Sequence, residues 1–478
     1  MSNLTLVFVI KIPIIQAQEI ISLDKHWEYR SSDSANWRSC TIPNTIHNIL
    51  IEEEQIPNPY FSDNEQKVQY VGEKDYQFRT KFIVSNELAL KEKKELILRS
   101  IDTYASVYLN NILLGTCNNA FRIWNFDLGD LIHSGVNELI IELHSNQNKS
   151  MELYSKLPYA LPGGERVVTR KPQCHYGWDF GPKLVSLGLL SSPQIISFDK
   201  LQLFNASLVT KEIYKSHALV ELVLQIESIV PQEIQIQWSL NSNNYLNKLK
   251  LNKGINIYRL EAKLPNPRLW WPNGSGEAFL YDTRLQLRDS QFKILGMKQF
   301  QSGVRKIKLV SKKDKWGKSF YFNVNGKPIF AKGSNYVPPD LMLNSEKVKQ
   351  ELLSDAYSCG FNMLRIWGGG NYESDAFYEM CDKLGIMIWQ DFMFACALYP
   401  GDEEFVQNVK QEADEQVQRL SRFACIALWC GNNEINEAWH RWGWQMGLSE
   451  PTKQRLWKDY QRLFNEILPV SVYAYSNY

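Results

Sequence analysis

The hydrophobic and polar positions of this chain change their period about two thirds of the way along it. Before residue 309, short apolar stretches alternate with polar positions, as in VNELIIELHS (136–145) and HALVELVLQIES (217–228). A period of two is typical of strands that bury one face. We interpret residues 19–197 as a jelly-roll-like β-sandwich and residues 198–308 as a smaller, immunoglobulin-like β-sandwich.

From residue 309 to residue 478, helical stretches alternate with strands that are apolar throughout. This pattern predicts a parallel sheet covered by helices, which both a (β/α) barrel and a doubly wound sheet would satisfy. The segment 470–478, VSVYAYSNY, predicts one further strand. The predicted helices span residues 345–358, 374–384, 402–422 and 451–467.

Each predicted strand of this last part ends in polar or aromatic residues. Side chains that converge from successive strand ends are how barrel enzymes build a site on the C-terminal face, so we interpret residues 309–478 as the first half of a (β/α)8 TIM barrel. In chain order the strand-end residues are Lys332 and Asn335, Arg365 and Trp367, Asp391, and Asn432, Asn433 and Glu434.

Glu434 follows the apolar run Ile426 to Trp429 and is the first candidate for catalysis. A carboxyl group that is partly buried at a strand end has a raised pKa and can protonate a leaving oxygen near neutral pH. Asn433 could bind a sugar hydroxyl. The alternative is that Asn432, Asn433 and Glu434 only cap the helix that follows.

Composition narrows the possible partners. The chain has 44% apolar and 22% charged residues and a formal net charge of +1, which gives no indication of nucleic acid as a partner. Aromatic residues make up 13%, with 15 Trp, and such rings suit sugar faces as well as ordinary cores. The eight cysteines contain no C-x-x-C pair, so we expect no metal site and no cofactor.

The N-terminal segment has an apolar core, Leu4 to Ile10, followed by small residues near Ala17. We interpret residues 1–18 as a signal peptide, with a first strand as the alternative. We therefore expect an exported, periplasmic or secreted protein, or a lysosomal one in a eukaryote. No segment is long enough to predict a membrane span, and the sequence does not indicate an oligomeric state.

Several motifs together resemble glycoside hydrolase family 2, and within it the β-mannosidase branch. The Asn-Asn-Glu preceded by Trp-Cys-Gly is the motif that resembles this branch in particular. The matching stretches include QCHYGWDFGP (173–182), LWWPNGSGEAFLYD (269–282), NGKPIFAKGSNYVPPD (325–340), RIWGGGNYE (365–373), WQDFMFACALYP (389–400) and WCGNNE (429–434).

This resemblance implies an exo-acting retaining hydrolase that releases terminal β-D-mannose from the non-reducing ends of oligosaccharides. It implies that Glu434 is the general acid/base and that Asn433 binds the sugar. The resemblance also implies that Trp178 and Asp179, from a loop of the first sandwich, contact the terminal mannose. From the residues alone, the preferred interpretation of Gly177 to Asp179 is a turn in which Asp179 caps its own backbone.

Three further residues are predicted to bind substrate. Trp367 and Trp442 are expected to line the same pocket, with ordinary core packing as the alternative. Asp391 is expected to orient its neighbours or to bind a hydroxyl, with an ion pair to Arg365 as the alternative. His175 beside Cys174 offers too few ligands for a metal site.

The second carboxylate of a retaining glycosidase has no evident counterpart in this sequence. Such enzymes need a nucleophile about 5–5.5 Å from the acid/base. The carboxylates that follow Glu434 lie on or beside predicted helices, so we expect residues 1–478 to be an inactive N-terminal part of a longer enzyme. A non-catalytic carbohydrate-binding pseudoenzyme and a related family 2 glycosidase are the alternatives. The carboxylates in question are Glu437, Glu450, Asp459 and Glu466.

Overall fold

A computed structural model describes residues 18–342 and 345–476 of the chain. They form a multidomain, mostly β structure, in which each of the sheets draws its strands from one of three successive stretches of sequence. The signal peptide predicted for residues 1–18 lies outside the described residues except for Gln18, which begins the first strand.

The first stretch folds into two main antiparallel sheets. One has the order β1-β15-β6-β10 and the other β3-β2-β5-β11-β8-β9. Alternate side chains of the long strand β11, such as Leu139 and Ile141, enter the same buried cluster as Leu96 and Leu98 of the other sheet. The period of two in the sequence therefore marks the inner faces of a sandwich. The strands are β1 (Gln18–Ser22), β2 (Trp27–Ser31), β3 (Arg38–Cys40), β4 (Asn44–Thr45), β5 (Tyr76–Val84), β6 (Lys93–Arg99), β7 (Ile101–Asp102), β8 (Tyr104–Leu109), β9 (Ile112–Asn118), β10 (Ile123–Asp127), β11 (Gly135–His144), β12 (Tyr176–Trp178), β13 (Gly181–Lys183), β14 (Gly188–Leu189) and β15 (Gln194–Phe198).

Helices of this stretch lie in the connections between strands. The hairpin β12-β13 leaves the sandwich close to two 3-10 helices, Gly164–Val168 and Gln173–His175. The α-helices are α1 (Ile46–Glu52), α2 (Asn64–Lys67), α3 (Asn86–Ala89) and α4 (Asn146–Ser155), and a further 3-10 helix spans Gln69–Glu73.

The second stretch forms a smaller pair of antiparallel sheets, β16-β17-β20 and β19-β18-β21-β22. Its core is a separate buried cluster in which Leu222 of one sheet and Trp238 of the other take part. The strands are β16 (Leu201–Ile213), β17 (His217–Ser228), β18 (Gln232–Leu240), β19 (Asn243–Leu251), β20 (Gly254–Pro265), β21 (Tyr281–Arg288) and β22 (Ile294–Ser302).

The third stretch begins with an antiparallel sheet, β23-β24-β25, and continues with a parallel sheet, β26-β27-β28-β29. Helices connect the parallel strands, as the sequence predicts. The strands are β23 (Ile307–Val310), β24 (Tyr321–Val324), β25 (Lys327–Ile329), β26 (Gly333–Tyr336), β27 (Met363–Ile366), β28 (Met387–Asp391) and β29 (Ile426–Cys430). The helices are α5 (Glu346–Ser358), α6 (Asp375–Leu384), α7 (Glu403–Leu420), α8 (Ile435–Arg441), α9 (Glu450–Gln461) and α10 (Leu468–Tyr475), with a π-helix at Arg462–Ile467.

Local sequence signals explain where these helices begin and end. The side chains of Ser374 and Asp402 accept hydrogen bonds from the first turns of α6 and α7, as N-caps do. Gly385 ends α6 in a left-handed conformation with φ of 69°, which glycine adopts without a steric penalty.

No helix within residues 18–342 and 345–476 is long and apolar enough to cross a membrane. The four parallel strands agree with the predicted alternation, and their membership of a barrel stays a prediction.

The expectation of a further strand over residues 470–478 is wrong for the residues described. Leu468–Tyr475 is a helix, although Val470, Val472 and Tyr473 favour a strand. Pro469 in its first turn is compatible with a helix start, and Ser471 donates a 2.6 Å hydrogen bond to Asp414 of α7. Packing on α7 therefore overrides the local preference.

One buried ion pair joins the first stretch to the third. The Arg170 guanidinium donates to both carboxylate oxygens of Glu412 on α7, at 2.9 and 2.7 Å, and both side chains are 1% exposed. Arg170 also donates to the Met393 carbonyl, and Glu412 accepts from Asn119 and Tyr372. This network fixes the sandwich against the edge where the parallel strands end.

We expect Arg170→Met to lower the free energy of unfolding by about 3–5 kcal/mol, because it leaves the Glu412 carboxylate buried without a countercharge. Urea titration followed by circular dichroism measures the loss. The matched control is Arg268→Met, since Arg268 is 60% exposed in its ion pair with Glu277. That variant should lose less than about 1 kcal/mol. Equal losses in the two variants would contradict this account of the interface.

Candidate active site

The polar residues at the ends of the parallel strands converge on one guanidinium. Arg365, on β27, donates to Asn335 Oδ1 at 3.2 Å, to Asp391 Oδ2 at 2.7 Å and to Asn433 Oδ1 at 2.8 Å. Parallel register places Asn335 beside Arg365, which brings the side chains within reach. Lys332, expected at the end of the first strand, precedes β26 instead. The strand-end residues Asn335, Asp391 and Asn433 therefore converge, because all three are hydrogen-bonded to Arg365.

Asp391 is fully buried in this cluster. One of its oxygens also accepts a 3.0 Å hydrogen bond from the Gly368 amide. Burial raises the pKa of the Asp391 carboxyl, and the Arg365 guanidinium opposes part of that rise. The ion pair with Arg365, which was the alternative interpretation of Asp391, is present. A direct contact with a sugar hydroxyl stays a prediction.

The three residues Asn432, Asn433 and Glu434 have different roles. Asn432 Oδ1 accepts a 3.2 Å hydrogen bond from the Ile435 amide and so caps α8. Asn433 Nδ2 donates to Glu434 Oε2 at 3.1 Å, while its oxygen accepts from Arg365. The Glu434 side chain makes no capping hydrogen bond. Helix capping therefore accounts for Asn432 alone.

Glu434 is exposed, which corrects the expectation that the strand end would bury it. The physical reason is that β29 ends at Cys430, and Glu434 lies on the turn that leads into α8. Its backbone is left-handed, with φ of 60°, a conformation that non-glycine residues rarely adopt and that is concentrated at functional sites. The carboxylate is therefore accessible at the strand-end cluster.

The hairpin of the first stretch meets the strand ends, as the resemblance implied. Trp178 on β12 packs edge-on against Trp367 with ring centroids 4.9 Å apart, and Phe180 packs on the same ring at 5.5 Å. The Cys174 amide donates to the Gly369 carbonyl at 3.0 Å. Asp179, between the two aromatic residues of the hairpin, is exposed. The structure thus brings Trp178 and Trp367 together and places Asp179 on the same hairpin; Trp367 is 7% exposed, so much of its ring is covered by such packing, as the core-packing alternative expects.

Trp442 packs against a different aromatic side chain from those that pack on Trp367. It follows α8, is 48% exposed, and its ring packs edge-on against Trp444 with centroids 5.9 Å apart. The ring contacts of Trp367 are instead with the hairpin. A place for Trp442 in the same pocket stays a prediction.

His175 and Cys174 are both buried, and Cys174 packs with Trp367 and Ala395 of the third stretch. His175 Nδ1 lies 3.8 Å from Asp102 Oδ2, and the same oxygen is 3.2 Å from the Lys171 ammonium. Burial, together with the positive charge of Lys171, holds the pKa of His175 well below its usual range. Residues 18–342 and 345–476 contain no group of three His, Cys, Asp or Glu side chains that could hold a metal ion.

A cavity of about 750 Å³ lies beside β29, and neither Glu434 nor Trp178 lines it. Apolar side chains such as Phe392, Trp429 and Phe464 form part of its lining, together with four cationic side chains, Lys211, Arg305, Lys306 and Lys308. The strand-end polar cluster and this cavity are therefore different places on the third stretch. We assign the chemistry to the cluster, because the cavity lacks its carboxylates and amides.

Two residues at the cluster were missed by the reasoning from sequence. Cys396 Sγ lies 3.4 Å from Glu434 Oε2 and 3.3 Å from Asn433 Nδ2. Arg166 donates to the carbonyl of Cys396 at 2.7 Å. Cys396 belongs to a quoted motif but reads as one more small apolar residue, and nothing in the sequence around Arg166 distinguishes it from a surface arginine.

Comparison with known proteins finds one matching family and several similar proteins. Residues 27–191 match the family described as glycosyl hydrolase 2 galactose-binding domain-like. A β-mannosidase of Capra hircus is 32% identical over 454 residues, which is 89% of this chain and 50% of that protein. A β-mannosidase of Bos taurus is 33% identical over the same shares. The chain thus spans about half the length of the curated relatives it matches.

Solved structures agree with these matches. The crystal structure of a β-D-mannosidase from Dictyoglomus thermophilum is 34% identical, with a TM-score of 0.91 over 95% of this chain and 56% of that one. A β-glucuronidase of Bacteroides uniformis has a TM-score of 0.70 over 95% of this chain and 51% of its own, at 14% identity. The second comparison concerns the fold alone.

Replacing Arg365 with methionine should make stability more dependent on pH. Without the guanidinium, the pKa of buried Asp391 rises further above its unfolded value of about 3.9. A carboxyl group whose folded pKa is the higher one destabilises the fold increasingly as the pH rises through that range, because the folded state then binds more protons than the unfolded state. The melting-temperature deficit of Arg365→Met should therefore be larger near pH 8 than near pH 4.

Arg365→Lys is the matched control, since it keeps a positive charge beside Asp391. Its deficit should change less with pH than that of Arg365→Met. A deficit of Arg365→Met that is constant with pH would show that the guanidinium does not govern the ionisation of Asp391.

Proposed function

Since the chain is by descent a relative of the β-mannosidases of glycoside hydrolase family 2, we propose that it carries the acid/base part of an exo-acting retaining β-mannosidase. The substrate class is an oligosaccharide with terminal β-D-mannose at its non-reducing end. The observation that carries this proposal is the accessible Glu434 carboxylate, hydrogen-bonded to Asn433 and adjoining the cluster organised by Arg365.

The roles follow from the chemistry of glycoside hydrolysis. Glu434 donates a proton to the glycosidic oxygen as the bond to the sugar breaks, and later takes a proton from the water that releases the sugar. Asn433 binds a sugar hydroxyl in a contact that strengthens as positive charge develops on the ring. The aromatic pair Trp178 and Trp367, together with Asp179, forms the wall against which the terminal mannose binds.

The domain assignment belongs to the same proposal. We assign residues 19–197 to a jelly-roll sugar-binding-like domain, residues 198–308 to an immunoglobulin-like sandwich and residues 309–478 to the first half of a (β/α)8 barrel. The pairs of antiparallel sheets and the four-stranded parallel sheet support these assignments. We also place Trp442 at the outer edge of the sugar site, and we expect the protein to be exported.

The nucleophile is the unassigned part of the mechanism. Asp391 is engaged with Arg365, and the carboxylates described after Glu434 lie on helices. A covalent glycosyl intermediate needs a second carboxylate about 5–5.5 Å from the first. We propose that this carboxylate comes from a strand end outside the four described parallel strands.

We therefore expect purified residues 1–478 to release no appreciable 4-nitrophenol from 4-nitrophenyl β-D-mannoside, because no covalent intermediate can form. Saturation-transfer NMR with the same compound should still detect binding, and Trp367→Ala should weaken it. Hydrolysis that is abolished by Glu434→Ala would refute the missing-nucleophile proposal. Binding unaffected by Trp367→Ala would refute the assigned sugar wall.

The lineage function is tested in a protein that extends over the full length of the matched β-mannosidases. In that longer protein, Glu434→Gln should lower kcat/KM for phenyl β-D-mannoside by about 10²-fold or more. It should lower kcat/KM for 2,4-dinitrophenyl β-D-mannoside much less, since kcat/KM reports the step in which the leaving group departs and that leaving group needs little protonation. Equal effects of Glu434→Gln on the two substrates would contradict the acid role of Glu434.

A further inference from the structure

Arg166 links the first sandwich to the turn that faces Glu434. It lies in the 3-10 helix Gly164–Val168, and its guanidinium donates to the carbonyls of Ala395 at 3.1 Å and Cys396 at 2.7 Å. A third hydrogen bond, of 2.6 Å, goes to Gln173 Oε1. The arginine is therefore held in its own domain while it binds two successive carbonyls of another.

The two backbones run close together at this point. Gly163 has φ of 108°, and a Cβ there would lie 2.6 Å from the Ala397 Cβ, so only glycine fits without strain. The Leu398 amide donates to the Pro162 carbonyl at 3.0 Å. The contact made by Arg166 is thus part of a closely packed junction, and not an isolated surface pair.

Arg166 binds the turn at Ala395 and Cys396, and this turn pairs with Asn433, the residue before Glu434. Ala395 forms a parallel bridge with Asn433, and the Cys396 amide donates to the Asn433 carbonyl at 3.1 Å. Cys396 is left-handed, with φ of 44°. A non-glycine residue in this conformation costs about 1–3 kcal/mol and persists only where its surroundings fix it.

The Cys396 thiol closes a triangle with the two functional side chains. It is 3.4 Å from Glu434 Oε2 and 3.3 Å from Asn433 Nδ2, and Asn433 Nδ2 is 3.1 Å from the same Glu434 oxygen. The pKa of Cys396 is raised to about 11, first by burial and then by its hydrogen bond to Glu434 and the charge of that carboxylate. The thiol therefore acts as a donor to Glu434.

The same guanidinium contacts the aromatic wall. The Arg166 guanidinium carbon lies 5.2 Å from the ring centroid of Trp178, which packs on Trp367. A planar cation over an indole face is favourable. One side chain thus contacts both the proposed sugar wall and the turn behind the acid/base.

We propose that Arg166 is a positioning residue for the acid/base: by binding the carbonyls of Ala395 and Cys396 it holds the Cys396 thiol against Glu434 and Asn433. That this positioning serves catalysis rests on the proposed function. The positioning itself can be tested in a protein that hydrolyses no substrate. Lysine would not replace Arg166 fully, since a single ammonium lacks the planar fork that reaches two carbonyls and a ring.

The test is the alkylation rate of Cys396 with iodoacetamide, resolved by peptide mass spectrometry. Only the thiolate reacts, so Glu434→Gln should speed alkylation of Cys396 on the order of threefold to tenfold by removing a negative neighbour. In an Arg166→Met background, Glu434→Gln should change the rate less than about twofold, because the thiol is no longer held beside residue 434. Arg166→Lys should give an intermediate coupling.

Two controls separate positioning from loss of structure. Exposed Cys359 should react at the same rate in all variants, and buried Cys117 and Cys381 should stay protected. Arg268→Met, which removes an exposed arginine paired with Glu277, should leave the coupling unchanged. A full effect of Glu434→Gln in the Arg166→Met background would overturn the proposal. So would the absence of any effect of Glu434→Gln in the wild-type background.

Failure of this proposal and failure of the proposed function give different results. If Arg166 does not position the turn, the rate coupling persists, while binding of the aryl mannoside remains sensitive to Trp367→Ala. If the chain does not bind mannosides, that binding is absent, whereas the coupling between Glu434 and Cys396 still depends on Arg166.

Discussion

The buried ion pair between Arg170 and Glu412 is the constraint on which the arrangement of the candidate site depends. Two charges that are 1% exposed are tolerable only when nearly every polar atom is hydrogen-bonded. Here the carboxylate accepts from Arg170, Asn119 and Tyr372, and the guanidinium also reaches the Met393 carbonyl. Such a network is strongly geometry-dependent, so it fixes one orientation of the first sandwich on α7.

That orientation makes the candidate site a joint product of two distant parts of the sequence. The parallel strands supply Glu434 and Asn433, whereas the sandwich supplies Trp178 and Arg166. Neither part is sufficient: the strand ends supply Trp367 but not Trp178, which packs against it, and the hairpin β12-β13 supplies Trp178 but not the Glu434 carboxylate that is hydrogen-bonded to Asn433. A loop carried by a rigid scaffold can meet strand ends in this way only if the interface beneath it is rigid.

Much of the secondary structure could be predicted from the sequence, because the spacing of its apolar residues differs between strands that bury one face and helices. The helices predicted over 374–384 and 402–422 occur as Asp375–Leu384 and Glu403–Leu420, and the side chains of Ser374 and Asp402 cap their first turns. Leu468–Tyr475 could not be predicted as a helix, since its β-branched residues favour a strand and the deciding contacts come from α7. Local propensity is reliable where packing agrees with it.

The candidate site was less predictable, for reasons that are equally physical. Glu434 and Trp178 could be named from motifs, and Asp391 with its ion pair to Arg365 from the strand-end pattern. The exposure of Glu434 could not be inferred, because it depends on β29 ending at Cys430 and on a left-handed turn after it. Arg166 carries no local signal, since the two carbonyls that it binds at the turn lie more than two hundred residues away in the sequence.

Cys396 and Glu434 each combine a strained backbone conformation with a hydrogen-bonded side chain. Cys396 and Glu434 are both left-handed, and they face each other across the contact between Sγ and Oε2. Each such conformation costs about 1–3 kcal/mol, which a folded chain retains only where other contacts determine it. Arg166 holds the carbonyl of Cys396, and Asn432 caps the helix that begins beyond Glu434. The strain is therefore supported from both sides, and it lies where the carboxylate must be held at a fixed distance from its amide and thiol neighbours.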